Sequence, residues 1–242
     1  MNLWRFAKGL AVKSLDDNLF LFRFHFLEDL NSVLQKEPWS YAGNLLLMER
    51  VVSSTSISNV KLSHVSLWVH VHKLPWLKMT DPMAKLIGDT LGVFLDVDRD
   101  RDFGCIGGTM KIRVRWDVSR PLCRKTVIEL DDTGDTELEF SYERVPGFCA
   151  FCGLLTHWTA NCPWRRYHPP NKEDFLFQEV LKANHRQTVS RRFPRSIPAS
   201  DSVNQLPSPS KSDVGDTHLR ETAPAKVTAV ATETIAAAHA FV

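Results

Sequence analysis

The sequence predicts an α+β fold: an antiparallel sheet domain, then a short cysteine-rich segment, then a disordered tail. Three observations lead to this prediction: apolar residues alternate along several short segments, two stretches have helical spacing, and the composition changes after residue 187. Hydrophobic residues make up 43% of the 242 residues, enough for a core over part of the chain. We expect an α+β domain over 1–146, the cysteine-rich segment over 147–164, and a basic, then low-complexity tail over 165–242.

The predicted strands are short segments rich in alternating apolar, β-branched or aromatic residues. In chain order they are 18–26, 45–52, 65–71, 110–116, 126–130 and 138–145, the last two joined by the polar turn 131–135. Helical spacing over 27–34 indicates a first helix that ends before Pro38. The second helix is expected to have Asp81 as its N-cap and Pro82 as its first residue, and to end at Gly92.

The tail is predicted from composition. Residues 174–184 could form one short helix, but from Gln187 onward Ser, Pro, Thr and Ala dominate without apolar periodicity. The Ala-rich residues 235–240 favour helix only transiently, because they have no evident surface to pack against. We therefore expect most of the tail to be disordered.

Charge and targeting signals bound the compartment and the partners. The net charge of +2 does not by itself indicate a nucleic-acid-binding protein. Lys and Arg outnumber Asp and Glu over 163–200, so positive charge is concentrated after the cysteine-rich segment. Neither a secretory signal nor an apolar run of membrane-spanning length occurs, and we expect an intracellular protein of the nucleus or cytoplasm, neither secreted nor membrane-bound.

The cysteine-rich segment has the ligand spacing of a metal site. It contains Cys149, Cys152, His157 and Cys162 in the pattern C-x2-C-x4-H-x4-C. Three thiolates and one imidazole complete the tetrahedral shell of zinc with no open position, which is typical of a structural site. A redox Cys-x-x-Cys would not require the histidine and third cysteine at these offsets. The sequence therefore predicts one structural Zn²⁺, whose binding and the folding of this segment are one event.

Aromatic and basic residues in and after this segment are candidates for nucleic-acid contacts. Phe151 and Trp158 could stack on unpaired bases. The aromatic and basic character extends beyond the last cysteine through Trp164, Arg165, Arg166, Tyr167 and His168. The alternative is that Phe151 and Trp158 pack against the α+β domain, and the sequence leaves both possibilities open.

Several motifs together carry a family resemblance. The segment 149–162 resembles the CCHC knuckles of retroviral nucleocapsid proteins. More of the chain resembles a plant family, derived from LINE-type retrotransposons, that pairs a domain of unknown function with a zinc knuckle. The similar segments are 20–24, Glu37-Pro38-Trp39 with Tyr41 and Gly43, 67–75, 108–122 and 142–153.

The resemblance implies a non-catalytic nucleic-acid-binding protein whose first domain is related to RNA-recognition-motif folds and is N-terminally truncated here. It also implies that Cys149, Cys152, His157 and Cys162 are the zinc ligands. Two departures occur: Leu154 and Leu155 stand where such knuckles often carry a basic residue, and Thr156 stands where a glycine commonly precedes the histidine.

Other clusters are expected to have no catalytic or metal-binding role. The acidic run 96–102 lacks the Gly and Glu of a calcium loop, 104–108 lacks the Gly-Lys-Ser/Thr of a phosphate-binding loop, and His64, His70 and His72 have no ligand partners at suitable spacing. Lys111, Arg113 and Arg115 could follow a phosphate backbone, but pairing with the acidic face of 137–143 is the favoured interpretation.

Two functional hypotheses follow. The first is a non-catalytic protein that binds single-stranded RNA or DNA through the knuckle and the basic stretch after it. The second is a protein-interaction module in which the knuckle is a structural cap. Because no catalytic constellation is present, we do not expect an enzyme or a small-molecule substrate.

Overall fold

The computed structural model describes Trp4 and residues 9–16, 18–51, 60–106, 108–130, 134–183 and 233–238. The strands are, in chain order, β1 (Ala11–Asp16), β2 (Leu19–Phe24), β3 (Trp39–Tyr41), β4 (Asn44–Val51), β5 (His64–His72), β6 (Val93–Val97), β7 (Met110–Asp117), β8 (Lys125–Leu130), β9 (Gly134–Tyr142) and β10 (Glu233–Ala238). The α-helices are α1 (Leu27–Gln35) and α2 (Asp81–Leu91). No helix in the described ranges has the length and apolar character needed to cross a bilayer.

The first sheet has the strand order β1-β2-β10-β4-β3, and all neighbours are antiparallel. Helix α1 packs against it through an aromatic-rich core. This core consists of Trp4, Phe22, Phe24, Leu30, Val33, Leu46 and Met48. The predicted strands 18–26 and 45–52 and the first helix are confirmed, although β2 is shorter than predicted and α1 extends one residue further, to Gln35. Strands β1 and β3 were not predicted, because the residues over 11–14 are all exposed and β3 has only three residues.

The second sheet has the order β6-β7-β5-β9-β8, again antiparallel throughout. The predicted alternation in β5 and β7 is confirmed, since every second residue of each strand is buried. Helix α2 contributes Ala84, Ile87 and Leu91 to the same core. The hairpin of β8 and β9 is confirmed as well, although residues 131–133 of its turn lie outside the described residues. The α+β prediction with antiparallel sheets therefore holds.

Strand β4 connects the two cores because both of its faces are buried. Leu46 and Met48 belong to the core beneath α1, whereas Leu45 and Leu47 belong to the core of the second sheet. Adjacent side chains of a strand point to opposite faces, so this single strand contributes to both layers.

The second helix begins one residue earlier than predicted. Thr80 is the N-cap, and its hydroxyl accepts a hydrogen bond from the backbone N–H of Met83 at 3.4 Å. Asp81 and Pro82 are therefore the first two helical residues, and Gly92 is the C-cap as predicted. Asp81 instead pairs with Arg99. The helix was therefore predicted correctly, but its N-cap is Thr80 and not Asp81.

The part of the tail that can be described differs from the prediction. Residues 174–184 do not form a helix in the described region; two short 3-10 turns, Lys172–Asp174 and Glu179–Leu181, occur instead. Leu181 is buried in the second core, which holds this segment against the domain. Glu233–Ala238 forms strand β10, whereas the sequence predicted disorder with only transient helix there. For 187–232 and 239–242, the prediction of disorder concerns residues outside the described ranges.

The basic face of β7 lies against the first sheet and does not track along open solvent. Arg113 donates to the carbonyl of Leu34 at 3.1 Å, and Arg115 pairs with Glu49 at 2.6 Å. Lys111 lies 3.4 Å from Glu143, which is the predicted kind of pairing with the acidic face. These side chains therefore use their charge within the molecule, although Leu34 lies in α1 and Glu49 lies in β4 of the first sheet.

The remaining clusters behave as expected for structural residues. In the acidic run, Arg99 pairs with Asp81 and Asp96. The Cys105 thiol donates to Asp81, and burial followed by this contact raises its pKa to about 11, so it stays protonated at neutral pH. Cys123 is half-buried, and its thiol donates to the carbonyl of Lys125. Neither cysteine has the environment of a nucleophile.

Glu143→Gln is expected to lower the free energy of unfolding at neutral pH by about 1–3 kcal/mol, because hydrogen bonds to a largely buried carboxylate are lost. Glu143 accepts from His70 at 2.6 Å and lies near Lys111, and these interactions lower its pKa from 4.5 to about 2. Because the folded-state pKa is depressed, the carboxylate stabilises fully above pH 4.5, and this contribution is lost as the pH falls towards 2. Urea unfolding of wild type and variant at pH 7 and at pH 3 measures the difference.

Glu139→Gln is the matched control on the same strand pair. Glu139 pairs with Lys73, but both side chains are about half exposed, so its removal should cost less than about 0.5 kcal/mol. Two results would contradict the stabilising role of the Glu143 carboxylate. One is a Glu143→Gln variant as stable as Glu139→Gln, and the other is a loss of unfolding free energy that is the same at pH 7 and pH 3.

Candidate zinc site and adjoining aromatic surface

The segment that carries the three cysteines is folded by a tight backbone turn. The N–H of Cys149 donates to the carbonyl of Leu154 at 2.9 Å, and the N–H of Gly153 donates back to Cys149 at 2.8 Å. Gly153 has φ +74°, and a Cβ at this position would lie 2.3 Å from the ring of Phe177. Glycine is therefore required here for both backbone conformation and space. The turn brings Cys149 and Cys152 to the same side.

The four predicted ligands converge. The sulfurs of Cys149, Cys152 and Cys162 and a ring nitrogen of His157 all lie within 4.8 Å of one another. Cys152 Sγ and His157 Nε2 are 3.3 Å apart. A tetrahedral zinc ion with bonds of about 2.0–2.3 Å requires ligand atoms roughly 3.5–3.8 Å apart. Both the donor set and its dimensions therefore fit one zinc ion, and within the described residues no other group of three or more potential ligands converges in this way.

The ionisation of all three thiols together requires a bound cation. Burial and the neighbouring sulfurs of Cys149 and Cys162 raise the pKa of Cys152 to about 12. For Cys149, burial acts to raise the pKa, but hydrogen bonds from the backbone N–H groups of Cys152 and Phe151 act against it, and the net effect is a lowered pKa. Three thiolates can share this small volume only when a cation neutralises them. Burial lowers the pKa of His157, which keeps the imidazole neutral and able to coordinate.

The hydroxyl of Thr156 orients the histidine ligand. Thr156 Oγ1 lies 3.3 Å from His157 Nδ1, the ring nitrogen that does not face Cys152. When Nε2 coordinates the metal, Nδ1 carries the proton and its N–H donates a hydrogen bond to this hydroxyl. The residue that departs from the usual glycine thus supplies a hydrogen bond that glycine could not.

Thr156→Val is expected to weaken zinc binding about tenfold, because it removes the acceptor that fixes the histidine tautomer and ring orientation. Thr156→Ser keeps the hydroxyl and should bind zinc as tightly as the wild type. Competition with a chromophoric chelator gives both affinities. Equal affinities for the valine and serine variants would show that the hydroxyl has no part in orienting the ligand.

The knuckle is packed on the domain from two sides. Leu155 is buried in the second core, and the carbonyl of Gly153 accepts from the N–H of Leu122 at 2.9 Å. The chain then returns after the last ligand, and the N–H of Phe177 donates to the carbonyl of Ala150 at 3.0 Å. The segment around Phe177 therefore packs on the knuckle, an arrangement that no periodic pattern in the sequence indicates.

Two of the predicted base-stacking residues are engaged within the molecule. The ring of Phe151 lies 4.6 Å from the ring of His168. The indole N–H of Trp158 donates to Asn44 at 3.3 Å, and its ring lies so close to Gly147 that a Cβ there would be 2.2 Å away. Trp158 remains 40% exposed. Trp158 thus links the knuckle to the start of β4, whereas Phe151 contacts a residue that follows the knuckle.

The other predicted residues form an exposed cluster immediately after Cys162, which we call the aromatic–basic turn (residues 164–167). Trp164 and Tyr167 are 52% and 58% exposed, with ring centroids 6.4 Å apart and planes tilted by 35°. Arg165 and Arg166 are exposed in the same 3-10 turn, and the Arg166 guanidinium lies 4.8 Å from the centre of the Tyr167 ring. Tyr167 belongs to the same predicted aromatic and basic extension, and its spacing of three from Trp164 puts both rings on one side of such a turn.

Comparison with known proteins places these features in sequence families. Residues 116–164 match the family described as Zinc knuckle, and residues 1–59 match the Domain of unknown function (DUF4283). The chain thus contains a segment similar to a zinc knuckle, preceded by one similar to a domain of unknown function, which is the pairing that the resemblance implied.

The chain is also similar to a plant protein. The uncharacterized protein At4g02000 of Arabidopsis thaliana is 25% identical over 178 residues, which cover 74% of this chain. The aligned part spans 55% of the relative's length. No solved structure matches the chain, so a relation to RNA-recognition-motif folds stays a prediction.

Proposed function

We propose that this chain is a non-catalytic protein that binds single-stranded RNA or DNA through the aromatic–basic turn, which the zinc knuckle holds in place. The observation that carries the proposal is the exposure of two large aromatic rings and two guanidinium groups within one turn of the last zinc ligand. Aromatic rings exposed in this way are accessible to unpaired bases, which stack on them. Zinc knuckles commonly bind nucleic acids, which agrees with this use.

The size of the surface favours single strands. Two rings cannot fill the major groove of a duplex, but they can each accept one unstacked base. Each stacked base contributes about 1–3 kcal/mol, and each arginine can hold a phosphate. Two stacking contacts and two phosphate contacts correspond to roughly micromolar affinity with little choice of sequence.

Arg165→Ala combined with Arg166→Ala is expected to flatten the salt dependence of binding. Each lost phosphate contact should reduce the slope of log K against log salt by about 0.7 on a single strand. Fluorescence anisotropy with a labelled oligonucleotide at several salt concentrations gives the slope. Lys85→Ala, on the exposed face of α2, is the control and should leave the slope unchanged. An unchanged slope in the double variant would remove the arginines from the interface.

The second candidate is a protein-interaction module in which the knuckle is a structural cap. Its support is the packing of Trp158 on Gly147 and Asn44, together with the internal stacking of Phe151 on His168. In this case zinc would stabilise the domain without creating a nucleic-acid surface. The absence of any oligonucleotide binding by zinc-loaded protein would favour this candidate.

We also propose an origin in a LINE-type retrotransposon and an intracellular location. The shared motifs over 20–24, 67–75, 108–122 and 142–153 and the similarity to a plant protein support the origin. A thiolate-rich zinc site, which requires reduced cysteines, supports the location.

A further inference from the structure

The first sheet is assembled from two distant parts of the chain. Strands β2 and β4 belong to the hairpins β1–β2 and β3–β4, but they do not pair with each other. Strand β10, from the other end of the chain, lies between them. It runs antiparallel to both, from Glu233 opposite Phe24 to Ala238 opposite Leu19 and Leu47.

The space that β10 occupies is a slot with backbone groups on two sides. Each strand of a sheet presents a row of N–H and C=O groups along an unpaired edge. Without β10, the facing edges of β2 and β4 would both be unpaired, although Phe22, Leu47 and Met48 along them are buried. Two-stranded hairpins are marginally stable on their own, so a strand that joins the two hairpins in this slot stabilises the whole sheet.

The segment that fills the slot has little intrinsic preference for a strand. It reads Glu-Thr-Ile-Ala-Ala-Ala, and alanine is depleted in strands because it offers little side-chain surface to a sheet. Its extended conformation must therefore come from main-chain pairing with β2 and β4. Such pairing is how extended peptides bind an exposed sheet edge, where the backbone supplies the affinity.

We infer that the edges of β2 and β4 form a strand-binding slot, and that residues 233–238 occupy it as an internal, exchangeable peptide ligand. The same residues supplied as a separate peptide bind the slot when the internal strand is disabled. This property is independent of zinc and of nucleic-acid binding, because it involves neither the knuckle nor the aromatic–basic turn.

The test uses the full chain with Ala236→Pro. Proline cannot donate to the ladder and is not accommodated in a central strand, so the internal segment should leave the slot. Amide hydrogen exchange then measures the protection of the backbone N–H groups along the facing edges of β2 and β4. Amides of β2 and β4 that face the slot are expected to exchange at least about tenfold faster than in the wild type, while amides of β5 and β7 keep their protection.

The control and the rescue separate loss of the strand from general damage. Ala240→Pro, two residues beyond β10, introduces the same residue and should leave the exchange of β2 and β4 unchanged. A synthetic peptide of residues 231–242, added in excess to the Ala236→Pro protein, should restore protection at the same amides, and the peptide carrying proline at 236 should not.

Three outcomes would overturn the inference. They are unchanged exchange in Ala236→Pro, failure of the wild-type peptide to restore protection, and equal rescue by the proline peptide. In the wild type, protection that increases with protein concentration would show that a second copy donates the strand, which would contradict an internal ligand.

Discussion

Replacing Cys162 with serine is expected to abolish stoichiometric zinc binding and to unfold the knuckle while the second sheet stays folded. The residue supplies one of four ligand atoms that lie within 4.8 Å of one another, and serine does not replace a thiolate as a zinc ligand. The loss of affinity should far exceed the roughly 10–100-fold effect of removing a hydrogen-bond partner of a ligand. Elemental analysis of purified protein should fall from about one zinc per chain to nearly none.

The structural consequence should reach the segment that packs on the knuckle. Phe177 packs on Gly153 and donates to Ala150, so these contacts depend on the fold of the knuckle. Amide exchange should accelerate at both ends of these contacts, whereas the buried positions of β5 should stay protected. This division follows from the position of β5 in the centre of a sheet that contains no zinc ligand.

Cys123→Ser is the control for the loss of a thiol. Cys123 is half-buried, and its thiol donates to the carbonyl of Lys125, a hydrogen bond that a serine hydroxyl can make as well. Zinc content and exchange should therefore match the wild type. Full zinc occupancy in Cys162→Ser would contradict the ligand assignment outright.

Replacing Trp164 and Tyr167 together with alanine is expected to weaken single-strand binding by about tenfold to a hundredfold, because two stacking contacts of about 1–3 kcal/mol each are lost. Free-energy effects at neighbouring residues are not additive, so the losses of binding free energy in the two single variants should not add up to the loss in the double variant. The salt slope should stay close to the wild-type value, since both arginines remain. Zinc content should not change, because neither ring is a ligand. Anisotropy titrations at fixed salt measure the affinity.

Trp158→Ala is the matched control for these rings. Its indole N–H donates to Asn44 and its ring packs on Gly147, so its removal should reduce stability more than it reduces binding. If instead Trp158→Ala weakened binding more than the loss of Trp164 and Tyr167, the interface would lie on the knuckle itself and not on the aromatic–basic turn.

The elements with a periodic pattern could be predicted from the sequence, and those held by tertiary pairing could not. Strand β5 alternates over its whole length because one face is buried, and the ligand spacing of the knuckle follows from zinc geometry alone. Strand β6 carries the exposed Val93 and Leu95 at the edge of its sheet, and Val97 is the one buried residue of its five, so its sequence shows no regular alternation to detect. Strand β10 is alanine-rich, and its conformation depends on partners that lie far away in the sequence.

The same division applies to the candidate site. The four ligands could be identified from spacing, but the environment of an aromatic ring depends on what packs against it. Phe151 meets His168, and Trp158 meets a turn of the first sheet, contacts that no local pattern encodes. Conversely, the exposure of Trp164 and Tyr167 depends on the course of the chain after Cys162, which the sequence left open.

The most direct test of the central claim is an anisotropy titration of zinc-loaded wild-type protein with a short labelled single strand and with the corresponding duplex. We predict roughly micromolar binding of the single strand and at least about tenfold weaker binding of the duplex, because only unpaired bases can stack on the aromatic–basic turn. No binding to either, or equal binding to both, would contradict the proposal that this turn is a surface for single-stranded nucleic acid.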